Sequence, residues 1–265
     1  MNRLRQALAQ RNGKTLLGAA CYFYDPIFLE IAAHTGFDAI WIEMEHAAIS
    51  FAEAGDLCRM AAGTGMLTMI RVPDTRRDSI LKAAELGPDI IDVPMVDTPE
   101  QMQEMLRYAR FAPEGARGSF SGSRAVKYGM VDSVPKEQAR LNQQLCLMAQ
   151  VETKEAVDRI EELCAVPDIE IFVGPADLSS SYGVPGETLH PKVTEAAKRI
   201  VSTARAHGKL LSTACAPKDF PFWAELGVDL LFCANDITCL KQGAEAAHLS
   251  ALEALRQSAP PPQKR

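Results

Sequence analysis

The chain has 265 residues, of which 47% are hydrophobic, and a formal net charge of −6 at pH 7. That length is enough for one large α/β domain or for two small domains. The acidic balance, without a basic stripe, argues against a nucleic-acid partner, and no apolar run in the sequence is long enough to cross a bilayer.

Short apolar segments alternate with amphipathic helices along the chain. Each segment is too short for a typical helix and is bounded by polar or turn-forming residues, which indicates a buried strand. The segments 145–151 and 169–173 are separated by a helical pattern, so these two strands should be parallel. In chain order, we predict strands at residues 15–20, 38–42, 67–72, 90–93, 145–151, 169–173, 210–213 and 230–233. We predict helices at 1–13, 25–34, 51–63, 76–86, 99–110, 136–141, 154–164, 192–207, 220–226 and 238–256, with irregular loops at 111–134 and 179–189.

Eight strands alternating with helices over about 250 residues are typical of an α/β fold of the (β/α)8 TIM barrel type. We therefore predict a single catalytic barrel over residues 1–257 and a disordered, proline-rich tail over 258–265. An open, doubly wound sheet is the alternative. The absence of a glycine-rich phosphate-binding turn after the first strand argues against it.

Two carboxylates follow neighbouring predicted strands at the end where a barrel holds its active site. Glu152 comes directly after strand 145–151, and Asp177 follows strand 169–173. Adjacent strands lie roughly 5 Å apart, so both side chains can approach one cation. Oxygen ligands with open positions suit Mg²⁺ or Mn²⁺. The alternative is that both residues only cap the helices that follow.

Further polar residues fall at other predicted strand ends. Glu43, Glu45 and His46 follow the second strand, Arg71 ends the third, and Gln150 ends the fifth. Together they suit a metal and a small anion rich in oxygen. Each also has a simpler interpretation: His46 as a surface histidine, Arg71 as the structural partner of Glu43 or Glu45, and Gln150 as a cap on the barrel.

Several motifs together resemble those of the HpcH/HpaI aldolase family, the class II metal-dependent pyruvate aldolases of the phosphoenolpyruvate/pyruvate superfamily. The resemblance covers roughly residues 18 to 254. The pairing of QVET with GPADLS is the most specific part of it. In chain order the motifs are IWIEMEHAAIS, MIRVP, DVPMVDTPEQ, the Arg117-Gly118 and Arg124-Ala125 pairs, QVET and FVGPADLS.

The resemblance implies a role for each matching residue. Glu152 and Asp177 would bind the divalent cation, Mg²⁺ or Mn²⁺, with Co²⁺ as a further candidate. Gln150 would lie near bound pyruvate, and the backbone of Ala176 and Asp177 would hold its carboxylate. The resemblance also implies that Arg71 stabilises the enolate and that His46 is the general base, normally partnered by an acid three residues earlier.

Three positions depart from the family pattern. Glu43 stands where the family usually has Asp, and Glu85 stands where an Asp that reaches a neighbouring subunit's site is usual. Glu85 could equally be a solvated helix charge. Ser212 lies in a seventh strand that is more polar than the family's, and we predict that it contacts the substrate. These departures predict an altered aldehyde half of the site.

The predicted function is reversible aldol cleavage of a 4-hydroxy-2-oxo acid to pyruvate and an aldehyde. An alternative keeps the enolate but changes the reaction, as in citrate-synthase-like or macrophomate-synthase-like members that act on oxaloacetate with another acceptor. A third hypothesis is a degenerate barrel that binds a small acid without turnover. The resemblance implies hexamers built from dimers that exchange the last helix. Seven cysteines without a Cys-x-x-Cys pair favour a reduced, cytoplasmic protein.

Overall fold

The computed structural model describes residues 1–258, and its eight strands close into a parallel barrel in chain order. The predicted TIM barrel is confirmed. The predicted tail begins at Ser258, which ends the last helix, and its other residues, 259–265, lie outside the described residues. The strands are β1 (Leu16–Cys21), β2 (Ala39–Glu43), β3 (Leu67–Arg71), β4 (Ile90–Val93), β5 (Cys146–Val151), β6 (Ile169–Val173), β7 (Leu211–Ala214) and β8 (Leu230–Asn235).

The helices follow the predicted order with two differences. The segment predicted as one helix at 154–164 is two short helices that meet at Arg159. A short helix also begins at Pro175, a residue whose fixed φ suits the first helical turn, and ends before Gly183, whose φ is 73°. The helices are α1 (Arg3–Gln10), α2 (Pro26–Thr35), α3 (Phe51–Ala62), α4 (Arg77–Glu85), α5 (Pro99–Ala109), α6 (Val134–Gln144), α7 (Lys154–Asp158), α8 (Ile160–Ala165), α9 (Pro175–Ser181), α10 (Pro191–Ala206), α11 (Phe220–Leu226) and α12 (Asp236–Ser258).

The barrel interior contains an aromatic cluster, two of whose rings come from the strands that flank β1, a strand of small residues. The Trp41 ring lies 5.5 Å from that of Phe172 and 5.2 Å from that of Phe232, centroid to centroid. A Cβ atom on Gly18 would come within 2.4 Å of the Phe232 ring, so β1 must be small there. Helix α1 packs Leu4 into the same buried cluster and closes the barrel at the N-terminal ends of the strands.

Strand register decides which side chains meet at the opposite end. Glu43 pairs in register with Arg71, and Arg71 pairs with Asp92. Val151 pairs with Val173, so the residues that follow β5 and β6 leave the barrel side by side. The sequence puts charged groups at these positions, and the parallel register gathers them at one rim.

Helix α12 differs from the other long helices because little of this chain covers it. Beyond Asp236, none of its residues described as far as 257 is buried. Leu240 and Leu249 are more than 60% exposed. Among residues 1–258, no helix is long and apolar enough to cross a membrane.

Candidate active site

A cavity of about 660 Å³ opens at the C-terminal ends of the strands. Five residues predicted from the sequence line it together: His46, Arg71, Gln150, Ala176 and Asp177. They come from four different strand ends, so only closure of the barrel unites them. A cavity of this size has room for a small oxo acid and a second reactant.

Glu152 follows β5 and is buried behind Gln150. Its side chain accepts hydrogen bonds from the backbone N–H of Met95 at 2.8 Å and from the amide of Gln150. The residue is 2% exposed. The pKa of Glu152 is raised to about 7, chiefly by burial and to a smaller extent by the nearby carboxylates of Asp177 and Glu45, while the two hydrogen bonds oppose the shift. Within residues 1–258, no side-chain cation forms a salt bridge with Glu152, so a bound cation would stabilise its ionised form.

Gly174 lets the two strand ends approach each other closely. A Cβ atom at this position would lie 2.5 Å from Glu152 Oε2 and 3.0 Å from Gln150 Nε2. Asp177 follows in the first turn of α9, where its side chain is exposed to the cavity. Glu152 does not cap the next helix, because Thr153 does so by accepting from the N–H of Ala156.

The residues present fit a divalent cation held by two carboxylates. Glu152 is buried without a counter-charge, Asp177 faces the same cavity, and Gln150 Oε1 is buried without a hydrogen-bond partner among the described residues. These are oxygen donors, which Mg²⁺ and Mn²⁺ prefer. Within residues 1–258, no group of three or more His, Cys, Asp or Glu side chains gathers as a metal-binding cluster, so Gln150, substrate or water would have to complete the set of ligands.

Arg71 is held between two glutamates beside the cavity. Its Nε donates to Glu43 Oε2 at 2.6 Å, and its Nη1 lies 2.9 Å from Glu45 Oε2. Burial alone would lower the pKa of Arg71, but Glu43 and Glu45 outweigh it and raise the pKa. The guanidinium also lies over the Trp41 ring, 4.9 Å from its centroid. Arg71 is therefore a fixed cation with a preset orientation.

The structure separates the roles of the two glutamates near His46. Glu43 is fully buried, and its Oε1 accepts from the backbone N–H groups of Glu45 and His46 at 2.6 and 3.0 Å. The acid beside the imidazole is Glu45, whose Oε2 lies 3.7 Å from His46 Nε2. Burial raises the pKa of Glu45, while Arg71 and His46 oppose that shift. Glu43 thus positions the loop and Arg71 and does not touch the imidazole ring.

Two other predicted residues lie away from this cavity. Ser212 is fully buried and donates its hydroxyl hydrogen to the carbonyl of Leu230 at 3.0 Å. Glu85, at the end of α4, pairs with the guanidinium of Arg117 at 2.9 Å. Neither residue lines the cavity within one chain.

Sequence reasoning missed Asp92 in the barrel interior. It is fully buried on β4 beneath the rim, and neither of its carboxyl oxygens has a hydrogen-bond partner among the described residues. Burial raises the pKa of Asp92 well above its ordinary value, while Arg71 opposes the shift and Glu152 adds to it. The one available signal was an acid at an inward position of an apolar strand, Ile90–Val93.

Comparison with known proteins shows the family to which this chain is similar. The family described as HpcH/HpaI aldolase/citrate lyase matches residues 23–232. A hydroxypyruvate/pyruvate aldolase from Chromohalobacter salexigens is 32% identical over 239 residues, covering 89% of this chain and 93% of that protein. The crystal structure of an HpcH/HpaI aldolase from Desulfitobacterium hafniense has a TM-score of 0.85 at 27% identity, covering 98% of each chain.

A solved structure with another activity in its name is also similar. The crystal structure of citrate synthase SbnG has a TM-score of 0.83 at 25% identity, covering 95% of this chain and 99% of that one. The match to the family model spans well over half of the sequence, and the relative from Chromohalobacter salexigens aligns over nearly the whole chain. The chain therefore belongs to the HpcH/HpaI aldolase/citrate lyase family and is an enzyme of the lyase class.

Proposed function

We propose that this enzyme is a divalent-metal-dependent aldolase that reversibly cleaves a 4-hydroxy-2-oxo acid to pyruvate and an aldehyde. The observation that carries the proposal is one cavity lined by Asp177, Gln150, Arg71 and His46, with the buried Glu152 hydrogen-bonded behind Gln150. Carboxylates for a cation, a fixed positive charge and a candidate base are the groups that enolate chemistry requires. The lyase family to which the chain belongs supports the same reaction class.

Binding of the oxo acid would use the β5 and β6 ends. Glu152 and Asp177 would hold Mg²⁺ or Mn²⁺, which when bound polarises the 2-oxo group. Gln150 lines the cavity with an amide that can contact the oxo acid. The backbone N–H groups of Ala176 and Asp177, in the first turn of α9, would receive the substrate carboxylate.

Cleavage then requires a base at the 4-hydroxyl group. His46 would take that proton as the bond between carbons 3 and 4 breaks and the aldehyde forms. The electron pair of the broken bond passes to the oxygen on carbon 2, giving the enolate, which Arg71 stabilises by its charge. Protonation of the enolate at carbon 3 gives pyruvate, and addition of the enolate to an aldehyde reverses the sequence.

A second candidate is condensation of the same enolate with another acceptor, with oxaloacetate as one source of the enolate. The similarity to citrate synthase SbnG motivates it. It shares the enolate half of the site and differs in the electrophile. The two are distinguished by which electrophile is consumed when the enzyme is offered pyruvate or oxaloacetate with a panel of acceptors.

We also propose a homo-oligomer, in keeping with the dimer-based hexamers implied by the family resemblance. The uncovered helix α12, with apolar side chains at Leu240, Leu249 and Leu252, supports this assembly because a partner subunit would bury them. Glu85, remote from its own cavity, would face the site of a neighbour. All seven cysteines are unpaired thiols, which supports a cytoplasmic location.

Exchange of pyruvate methyl protons in D₂O, followed by NMR, tests the proposed function. We expect exchange with Mg²⁺ or Mn²⁺, loss of exchange after chelation, and loss in Asp177→Ala at any metal concentration tried. The matched control is Asp158→Ala, which removes an exposed acid from α7 outside the cavity. Aldol cleavage that continues undiminished after complete chelation would overturn the proposal.

A further inference from the structure

The cavity extends well beyond the residues used above, towards the loops after β7 and β8. Asp219 lines this second part, at the end of the short 3-10 turn Pro217–Asp219. Thr188, from the loop between α9 and α10, lines it as well. The proposed pyruvate half of the site lies at the ends of β5 and β6, so the adjoining part of the cavity near β7 and β8 is the space left for the aldehyde.

Asp219 has one carboxyl oxygen fixed and the other without a partner. Its Oδ2 accepts a hydrogen bond from the Thr188 hydroxyl at 2.6 Å. Its Oδ1 is buried and has no hydrogen-bond partner among the described residues. Asp219 is only 1% exposed, so bulk water does not hydrate its carboxylate. A buried acceptor without a partner is costly, and a ligand that donates a hydrogen bond to it removes that cost.

The chemistry of this end of the cavity selects for hydrogen-bond donors. A carboxylate accepts hydrogen bonds and repels other anions. The nearby Cys215 is subject to the same negative charge. Burial, and to a smaller extent Asp219, raise the pKa of its thiol to about 12. Lys218 also lines the cavity, but the buried, oriented group there is the acid.

We propose that Asp219, oriented by Thr188, is a specificity-determining residue that accepts a hydrogen bond from a hydroxyl group of the aldehyde. The substrate class is then neutral hydroxyaldehydes, and aldehydes that carry a carboxylate are disfavoured. This assignment rests on the proposed aldolase function and adds the identity of its second reactant.

Matched pairs of aldehydes test the assignment in the synthetic direction with pyruvate. Glycolaldehyde is compared with acetaldehyde, and glyceraldehyde with propionaldehyde, in wild type and in Asp219→Ala. We expect kcat/KM for the hydroxylated member to fall about 10- to 100-fold in the variant, as for a lost hydrogen bond to a charged group, and that for the unhydroxylated member to fall less than about threefold. Equal losses for both members of a pair would overturn the assignment, as would a wild type that prefers the unhydroxylated aldehydes.

Charge is tested separately with glyoxylate as an anionic aldehyde. Asp219→Asn keeps the shape and removes the charge, so addition to glyoxylate should rise severalfold relative to glycolaldehyde. Lys218→Gln is the matched neighbour on the same turn, and it should leave the preference for hydroxylated over unhydroxylated aldehydes unchanged. If Asp219→Asn leaves the glyoxylate to glycolaldehyde ratio unchanged, the carboxylate does not select against anions.

Pyruvate proton exchange and a Thr188→Val variant distinguish failure of this assignment from failure of the proposed function or of folding. Metal-dependent exchange of pyruvate methyl protons, measured on the same samples, reports the pyruvate half alone, and its absence in wild type would refute the proposed function and not this assignment. If Asp219→Ala does not fold, Thr188→Val removes only the orienting hydrogen bond. That variant should lose about three- to tenfold in kcat/KM for the hydroxylated aldehydes alone, and no selective loss would count against Asp219.

Discussion

At the scale of single residues, Glu152 has the most informative electrostatics. Its pKa is raised from 4.5 to about 7, so between these values the folded protein holds a proton that the unfolded chain has lost. The stabilisation from a raised carboxyl pKa is fully present below the unfolded value and declines as pH rises from there. That contribution is lost as pH rises through about 7, at a cost of about 3 kcal/mol for a shift of this size.

We therefore predict that metal-free Glu152→Gln is more stable than wild type at pH 8 and similar to it at pH 5. In Glu152→Gln, the side-chain oxygen of the introduced glutamine can still accept from the Met95 N–H. Its NH₂ group can donate to Gln150 Oε1 after the side-chain amide of Gln150 rotates by 180°. Urea denaturation in the presence of a chelator measures both values.

Metal addition supplies the control for this prediction. Mg²⁺ or Mn²⁺ should stabilise wild type at pH 8 by binding the ionised carboxylate, and should have little effect on Glu152→Gln. A variant that is less stable than wild type at pH 8 and still gains stability from metal would contradict the role assigned to Glu152.

At the scale of elements, the site depends on how closely β5 and β6 end beside each other. The limiting position is Gly174, where any side chain would overlap Glu152 and Gln150. Its φ is −96°, which any residue adopts, so the requirement for glycine comes from space and not from backbone conformation.

We predict that Gly174→Ala folds but loses activity about 100-fold, because Glu152 and Gln150 must move to admit the methyl group. Circular dichroism and pyruvate proton exchange measure the two effects. Gly63→Ala is the control, since Gly63 is exposed, its φ is −78°, and a Cβ there would lie 3.4 Å from the nearest atom, the carbonyl oxygen of Met60. Full activity in Gly174→Ala would contradict the requirement for close approach of the β5 and β6 ends at this position.

At the scale of the whole molecule, the uncovered helix α12 is the main feature that one chain leaves unexplained. Twenty-three residues form this helix, and its apolar side chains have little to pack against in the same barrel. A helix of this length with exposed apolar side chains gains stability by packing on a partner.

We predict that the wild type is an oligomer and that Leu249→Glu combined with Leu252→Glu reduces its mass. The new charges would have to be buried at the subunit contact. Size-exclusion chromatography with light scattering measures the mass, and Glu245→Gln on the same helix should leave it unchanged. A wild type that elutes as a monomer would refute the proposed assembly.

The barrel itself was predictable because strands buried on both faces are continuous apolar runs separated by amphipathic helices. The strand-end positions of Glu152, Asp177, Arg71 and Gln150 followed from the same pattern. Helix α9 was missed because it begins directly at the strand end and has no hydrophobic period of its own over seven residues.

Contacts between distant residues were beyond the sequence alone. One example is the glutamate that faces the His46 ring. Glu43 pairs in register with Arg71 on the next strand, and this leaves Glu45 beside the imidazole. Asp219 meets Thr188 across 31 positions of the chain, and no periodicity reports such a pair.

The amino-acid sequence by itself determined the order of strands and helices, the barrel and the polar residues at its rim, since local hydrophobic pattern decides these features. The tertiary structure decided which of those residues share one cavity, that Ser212 and Glu85 lie outside it, and that Asp219 lies inside it. The physical reason is that side-chain partners across a barrel are set by strand register and loop packing, which join residues that are far apart in sequence.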